Sequence, residues 1–371
     1  MAKVIVRPAS YDEVVITPLI TAILDEFIGE HLPPDSRVII KPNLLAPAAP
    51  PTAILTHPAV VRAAAEYVVA RGVRPCIADS PAMGSFDRVL KDSGIRTALN
   101  GLPVEFREFR ESVSVDIGEP FGTIEIAREA MDADVIINLA KLKTHSQMLL
   151  TLGVKNMFGC VVGFRKAEWH LKTGVNRELF AKLLTKIYTA VNPTVTIVDG
   201  ILALEGDGPG QGGRPIRTGT ILAGSNAVAV DAAVCRMLGI APENLPTIKA
   251  ARELGQDDDT LTIDGVLPRV DHFALPESAP LVFGPRRAQG FIRRHLLQRP
   301  VVNEDVCTLC GECRRMCPAS AIALGDTRIT FDYDRCVRCY CCIEVCPAGA
   351  LAARETAVGT LVRKFIHRHR H

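Results

Sequence analysis

Eight cysteines towards the C-terminal end of the chain have the type and spacing of iron–sulfur ligands. They form two runs of the same spacing, C-x2-C-x2-C-x3-C-P, made of Cys307, Cys310, Cys313, Cys317, Cys336, Cys339, Cys342 and Cys346. Short turns between such cysteines let their thiolates converge on the irons of one cubane. The doubled run therefore predicts two [4Fe–4S] clusters and a role in electron transfer.

Two other uses of cysteine fit this pattern less well. A zinc site takes two C-x2-C pairs and does not require four cysteines that end in C-P. A disulfide framework is disfavoured because 9 of the 12 cysteines lie between positions 307 and 346. The pattern thus indicates a reducing compartment. Cys341, next to Cys342, does not fit the repeat. The alternatives for it are a spare ligand, a residue that tunes the cluster potential and a small buried residue, and we assign it no role.

The composition is typical of a globular protein of about two domains. The chain has 371 residues, of which 48% are hydrophobic and 23% charged. A net charge of +2 and only 5% aromatic residues give little support for nucleic-acid binding. Asp12 and Glu13 stand where a secretory signal would be apolar, and the most apolar window, 219–235, contains Asp231. We therefore expect a cytoplasmic protein without a transmembrane segment.

Short β-branched runs alternate with helical patterns through residues 1–285. The predicted strands are 3–7, 37–41, 75–79, 134–139, 194–199 and 218–223, and the predicted helices are 17–28, 57–71 and 227–238. Such alternation predicts an α/β domain whose mostly parallel, doubly wound sheet is covered on both faces.

Polar residues follow four of the predicted strands and are the candidates for a binding site. Ligands of α/β sheets bind beyond the carboxyl ends of the strands, so these residues can converge. The lysines would suit a carboxylate or phosphate, and His145 is a candidate proton donor near neutral pH. The candidate catalytic residues are Lys143, His145 and Glu205. The candidate substrate-binding residues are Lys41, Asn43, Lys141, Lys155, Asn156 and Asp199.

A glycine-rich segment at 206–213 contains a formal G-x-G-x-x-G at Gly208, Gly210 and Gly213. A dinucleotide fingerprint must lie between a strand and its helix, whereas another β-rich run follows here. We therefore expect either a mobile active-site loop or a plain flexible loop.

Several phrases together resemble the family known as domain of unknown function three hundred and sixty-two, over about positions 36 to 265. They are VIIKPNL at 38–44, KLKTH at 141–145, GVKNMFG at 153–159, DGILALEGDGP at 199–209 and AGSNAVAVD at 223–231. The resemblance implies an α/β domain with a pocket built from these phrases. The family has no settled reaction, so it names no substrate.

The cysteine region is similar to bacterial two-cluster ferredoxins at all eight ligand positions, which implies a ferredoxin-like α+β domain at 301–355. In those proteins the fourth cysteine of each run ligates the other cluster. The implied ligand sets are Cys307, Cys310, Cys313 and Cys346 for one cluster, and Cys336, Cys339, Cys342 and Cys317 for the other.

Basic segments flank the predicted cluster domain, as a linker at 286–300 and a tail at 356–371. One interpretation is a docking patch for an acidic partner or for an anionic membrane surface. The other interpretation, which we favour, is that these segments are solvated helix faces.

Three functions fit these features. An oxidoreductase would exchange electrons between the clusters and a small anionic substrate, an electron-transfer adaptor would deliver charge to a redox partner protein, and a redox sensor would respond to cluster loss. No flavin or nicotinamide signature is evident. We favour the oxidoreductase over the adaptor and give least weight to the sensor.

The implied ligand exchange can be tested with Cys346→Ser. We expect this variant to perturb the cluster whose other ligands lie more than 30 positions upstream and to spare the other cluster. Electron paramagnetic resonance of the reduced protein distinguishes the two signals. Equal loss of both would contradict the exchange.

Overall fold

Nine strands of the large domain form one sheet in this computed structural model. The structure describes residues 1–29, 32–163, 165–173, 176–256, 260–276, 298–354 and 356. The strands of the large domain are β1 (Ala2–Pro8), β2 (Val38–Pro42), β3 (Cys76–Asp79), β4 (Glu105–Glu108), β5 (Ser112–Asp116), β6 (Thr123–Ala127), β7 (Val135–His145), β8 (Leu149–Thr151), β9 (Val195–Gly206), β10 (Gly213–Gly224) and β11 (Leu261–Gly265). Within the sheet the order is β11-β1-β10-β9-β7-β2-β3-β4, β8 pairs with β7, and β5 and β6 form a separate hairpin.

The sheet is mostly parallel, as the sequence predicted. Strands β2, β3, β4, β7 and β9 form a continuous parallel set, and β11 runs parallel to β1. The antiparallel pairs are β1 with β10, β9 with β10, and β7 with β8. Every residue of β2 and β7 is buried, which is typical of strands covered on both faces.

Two strands extend further than the sequence predicted. The predicted ends at residues 139 and 199 are wrong, because β7 continues to His145 and β9 to Gly206. The extension of β7 is held by its pairing with β8, where Lys143 lies opposite Thr151. The polar residues expected in open loops after these strands therefore lie within the sheet.

Helices cover both faces of the sheet. They are α1 (Glu13–Ile28), α2 (Pro58–Val69), α3 (Phe86–Asp92), α4 (Ile95–Ala98), α5 (Arg128–Met131), α6 (Gly153–Asn156), α7 (Arg165–Thr173), α8 (Arg177–Val191), α9 (Ala227–Met237) and α10 (Pro246–Glu253), with short 3-10 turns at Pro50–Thr52, Met157–Cys160 and Pro242–Asn244. Two N-caps show why helices begin where they do: Asn226 accepts from the Val228 and Ala229 amides, and Asn176 accepts from the Leu179 amide. In the part of the chain that the structure describes, no helix is long and apolar enough to span a bilayer.

A small second domain is built from two similar halves. Its strands are β12 (Arg299–Val302), β13 (Ile322–Leu324), β14 (Ile329–Phe331) and β15 (Leu351–Arg354), and its helices are α11 (Glu312–Arg315) and α12 (Cys341–Glu344). Strand β12 pairs with β15, and β13 with β14, both antiparallel. Positive φ angles recur at equivalent positions of the two halves, in the pairs Leu309 and Arg338, Gly311 and Tyr340, and Ser320 and Gly349. Residues 277–297, which include most of the predicted basic linker, and the predicted tail beyond Thr356 lie outside the described residues.

Helix α6 is fixed by close packing at its first residue. The Gly153 amide donates to Asp231 Oδ1 at 2.8 Å, and the Val154 amide donates to Asp231 Oδ2 at 3.2 Å. A Cβ atom on Gly153 would lie 2.6 Å from Thr196 Cγ2 and 3.0 Å from Ala227 Cβ. Glycine is thus required for the close approach of α6 to the sheet and to α9.

We expect Gly153→Ala to destabilise the large domain by about 1–3 kcal/mol, because the added methyl group has no space. Urea unfolding followed by circular dichroism measures the change. Gly29→Ala is the matched control: Gly29 has helical dihedral angles, and the nearest atoms to an added Cβ would be Asp25 Oδ1 at 3.3 Å and the Tyr67 hydroxyl at 3.7 Å, with no contact below 3.0 Å. Equal effects of the two substitutions would contradict the packing explanation.

Candidate functional site

A cavity of about 230 Å³ lies between the two domains. The large domain contributes residues that follow β2 and β3, together with residues of β7, α6 and α7. The small domain contributes Arg315, Met316, Cys341, Glu344 and Val345. The last five residues all lie within or next to the two short helices that carry cluster cysteines, so the cavity has one wall in each domain.

Lys41 reaches the cavity from β2 as half of a buried ion pair. Its Nζ lies 2.9 Å from Asp79 Oδ1, and both side chains are almost fully buried. The Asp79 carboxylate also accepts from the Leu44 amide at 3.0 Å and the Ser80 amide at 2.9 Å. Hydrogen bonds and a paired charge of this kind are what a buried ion pair needs to be tolerated.

Lys143 lies on β7 and is held by neutral acceptors. Its Nζ donates to Asn43 Oδ1 and to the Ile54 carbonyl, both at 2.8 Å. Asn43 in turn donates to Asn156 Oδ1 at 2.9 Å. Burial, followed by the charge of Lys155, holds the pKa of Lys143 well below its usual range.

Two further lysines line the cavity from helices. Lys166 of α7 donates to the Ser80 carbonyl, and burial lowers its pKa to about 8. Lys155 of α6 has no hydrogen bond or ion pair with any residue that the structure describes. Burial lowers the pKa of Lys155, while Glu344 and Cys341 act in the opposite direction.

His145 and Glu344 bring the two domains into contact beside the cavity. His145 Nδ1 accepts from the Gln147 and Met148 amides, each at 3.1 Å, so the imidazole proton belongs on Nε2. His145 Nε2 lies 2.9 Å from Glu344 Oε1. Burial lowers the pKa of His145 to about 4, so this ring is neutral at pH 7. A neutral ring at this pH differs from the expected proton donor that titrates near neutral pH, and a catalytic role of His145 stays a prediction.

Glu344 keeps its charge in this setting. Burial by itself would raise the pKa of its carboxyl group, but His145 and Lys155 outweigh that effect and hold the pKa below its usual range. The small domain thus places one carboxylate against the lysine-rich wall of the large domain.

Three of the nine candidate residues do not line the cavity. Lys141 Nζ lies 2.7 Å from Asp199 Oδ2 because the two residues are opposite each other in the register of β7 and β9. Tyr11 also donates to Asp199, at 2.8 Å. Glu205 is paired with Arg214 Nε at 2.7 Å. The other candidates come together at the cavity: Lys41, Asn43, Lys143, His145, Lys155 and Asn156.

Sequence reasoning missed several residues of this site. They are Lys166, His170, Cys341 and Glu344. Asp79 and Ser80 also line the cavity; they follow the predicted strand at 75–79 and were among the polar strand ends expected to converge, without an assigned role. Nothing in the spacing of the cysteines indicated that the residues among them face a second domain.

The glycine-rich segment forms the hairpin turn between β9 and β10. The Gly208 amide donates to Thr144 Oγ1 at 3.2 Å, and Pro209 lines the cavity. A Cβ on Gly210 would lie 2.9 Å from the Glu344 carbonyl oxygen. Glycine is needed here so that this turn can approach both β7 and the small domain.

The eight cysteines of the two runs gather around two small cavities in the small domain. Cys307, Cys310, Cys313 and Cys346 line one cavity, and Cys317, Cys336, Cys339 and Cys342 line the other. The Ala321 amide donates to Cys317 Sγ and the Ala350 amide to Cys346 Sγ, both at 3.2 Å. Among the described residues no group of three or more His, Cys, Asp or Glu side chains is placed to hold a single metal ion. Thiols spread around a cavity, with amides aimed at two of them, suit a multi-iron cluster.

Comparison with known families agrees with this division of the chain. The profile of the domain of unknown function DUF362 matches residues 38–236, which is more than half of the chain. The chain belongs to the DUF362 family. A 4Fe-4S dicluster domain matches residues 299–347. The DUF362 domain is therefore fused to a ferredoxin-like iron–sulfur module, which supports iron–sulfur electron transfer.

Individual relatives extend the comparison. A protein of Synechocystis sp. described as thylakoid-associated is 36% identical over 303 residues, which cover 80% of this chain and 94% of that protein. Two solved structures are 12% identical and cover 61% of this chain: a structural-genomics target from Thermotoga maritima (TM-score 0.38, 59% of that chain) and the lactate racemase apoprotein from Thermoanaerobacterium thermosaccharolyticum (TM-score 0.37, 54% of that chain). The chain spans less than two thirds of the length of both structures, and these scores support no conclusion about function.

The buried pair of Lys41 and Asp79 leads to a stability prediction. We expect Asp79→Asn to cost about 3–5 kcal/mol, because Lys41 would be left charged and unpaired in a buried site. The matched control is Asp87→Asn, which removes the exposed partner of Arg96 and is expected to cost less than about 1 kcal/mol.

Urea unfolding measures both changes. Adding Lys41→Met to Asp79→Asn should restore part of the lost stability, because the unpaired charge is then removed. A cost for Asp79→Asn as small as that of Asp87→Asn would contradict the buried ion pair.

Proposed function

We propose that this DUF362 protein is an iron–sulfur oxidoreductase that acts on a small anionic substrate in the cavity between its domains. One observation carries the proposal: the lysine-rich wall of the DUF362 domain and residues adjacent to cluster cysteines line the same cavity. A substrate held there would lie next to the part of the chain that carries the redox centres.

We assign two [4Fe–4S] clusters to the eight cysteines. Cys307, Cys310, Cys313 and Cys346 would hold one cluster, and Cys317, Cys336, Cys339 and Cys342 the other. When bound, such clusters supply or accept single electrons. The grouping of the cysteines around two cavities and the amides directed at Cys317 and Cys346 support this assignment.

The two cysteine sets differ in their access to solvent. Cys310 is exposed, whereas Cys339 and Cys342 are buried, and Cys341 beside them lines the substrate cavity. The set with Cys310 is therefore the side on which a redox partner protein would dock, and the second set is the side that faces the substrate. We retain a cytoplasmic location in the proposal, since the thiols of the two runs require a reducing compartment.

In the cavity, the protein supplies binding and orientation. Lys155 offers an amine that has no partner among the described residues, and Lys166, whose pKa of about 8 keeps it protonated at pH 7, adds a positive charge that favours an anion. His145 is neutral, and its Nε2 lies 2.9 Å from Glu344 Oε1. We therefore assign His145 to the positioning of the small domain against the cavity, and we assign anion binding to the lysines.

Reoxidation of the reduced protein tests the function. Anaerobically purified protein is reduced, the reductant is removed, and a panel of small carboxylates and phosphates is added while cluster absorption and electron paramagnetic resonance are followed. We expect one class of anion to reoxidise the clusters. Lys155→Gln should slow that reaction at least tenfold with unchanged iron content, because it removes the cation that receives the substrate.

Lys91→Gln is the matched control, since Lys91 is an exposed lysine on α3 away from the cavity. It should leave the rate unchanged. If the clusters are reoxidised only after a partner protein is added, and no anion has an effect, the oxidoreductase proposal is contradicted and the electron-transfer adaptor is supported.

A further inference from the structure

Lys155 differs from the other three cavity lysines in having no partner among the described residues. Lys41 is paired with Asp79, Lys143 donates to Asn43 and Ile54, and Lys166 donates to Ser80. Lys155 is half-buried and lines the cavity, so its amine is accessible to a molecule bound there. Lys155 is therefore the group with which the charged part of a ligand would pair.

Apart from His145 Nε2 and Glu344 Oε1, which lie 2.9 Å from each other, two polar atoms at the cavity are buried without a hydrogen-bond partner in the described part of the chain. They are His170 Nδ1 and Thr151 Oγ1. His170 is only 4% exposed, and burial lowers the pKa of its ring to about 4, so it is neutral at pH 7. Buried polar groups are nearly always hydrogen-bonded, so both atoms indicate a polar ligand in this cavity.

The charges near Lys155 limit the charge of the ligand. Glu344 places a carboxyl group in the wall of the same cavity, with its Oε1 atom 2.9 Å from His145 Nε2. A dianion would bring a second negative charge towards this carboxylate, whereas the single charge of a carboxylate can pair with Lys155 alone. The site therefore favours a monoanion over a phosphate monoester.

Apolar side chains form much of the remaining wall. They include Met83 and Phe158 from the DUF362 domain and Met316 and Val345 from the small domain. A volume of about 230 Å³ exceeds what a bare acetate needs, given that a water molecule occupies about 30 Å³ in the liquid. Apolar walls of this kind favour a ligand whose body leaves water on binding.

We propose that the cavity binds a monocarboxylate with an apolar body, whose carboxylate pairs with Lys155 and whose body lies between the apolar walls of the two domains. This inference rests on the proposed function and names its substrate class. The ligand binds across the domain boundary, so its head group and body contact residues that are far apart in the sequence.

Isothermal titration calorimetry on the oxidised holo-protein, without reductant, tests the substrate class. The probes are acetate, butyrate, hexanoate and octanoate, with octyl phosphate as the dianionic comparison. We expect Kd to fall about fourfold for each added methylene until the cavity is filled. Octanoate should bind at least tenfold more tightly than octyl phosphate.

Variants separate the two parts of the proposed contact. Lys155→Gln should weaken octanoate binding at least tenfold, and Lys91→Gln should not change it. Met83→Ala should weaken octanoate several-fold and leave acetate unchanged. Iron content and circular dichroism establish that each variant is folded and loaded.

Three results would overturn the inference: a Kd independent of chain length, tighter binding of octyl phosphate, or octanoate binding unaffected by Lys155→Gln. The titration contains no electron donor, so it measures binding alone and does not depend on the oxidoreductase proposal. If only that proposal failed, octanoate would bind as expected but no carboxylate would reoxidise the reduced clusters.

Discussion

Burial of lysine side chains inside the protein is the constraint on which the site depends. Each ammonium group leaves water at considerable cost, and the surrounding residues must compensate for it. Asp79 does so for Lys41, and Asp199 does so for Lys141, while Asn43 and the Ile54 carbonyl provide dipoles for Lys143. These requirements explain why so many polar groups converge within an otherwise apolar sheet.

The small domain takes part in the same compensation. Glu344 comes from the segment between two cluster cysteines, yet its carboxylate lies beside His145 and interacts with Lys155 of the DUF362 domain. The glycine-rich turn makes room for this arrangement, since Gly210 lies against the backbone of Glu344. Electrostatics and close packing therefore hold the ferredoxin-like module against the cavity.

Local patterns were enough to predict the main elements of the fold. The β-branched runs gave the central strands, and the cysteine spacing gave the iron–sulfur domain that the family comparison confirmed. Strand ends were less predictable, because the extension of β7 to His145 depends on pairing with β8, which is a tertiary effect. For the same reason the sequence did not show that Lys141 and Lys143 have different roles. Only the register of β7 with β9 shows that Lys141 is paired with Asp199. Glu344 was missed because nothing local links a residue among cluster cysteines to a lysine nearly two hundred positions away.

The segments between the last two cysteines of each run have two roles in this structure. They set the spacing of the thiols, and through Met316, Glu344 and Val345 they also form a wall of the cavity. Thermodynamic linkage makes this dual role reciprocal. If the folded wall raises the affinity for the ligand, the bound ligand stabilises the folded wall against unfolding by the same free energy. Oxidative loss of a cluster would then damage a binding surface as well as a redox centre, and a bound ligand would protect the inorganic part of the protein through contacts that never touch iron.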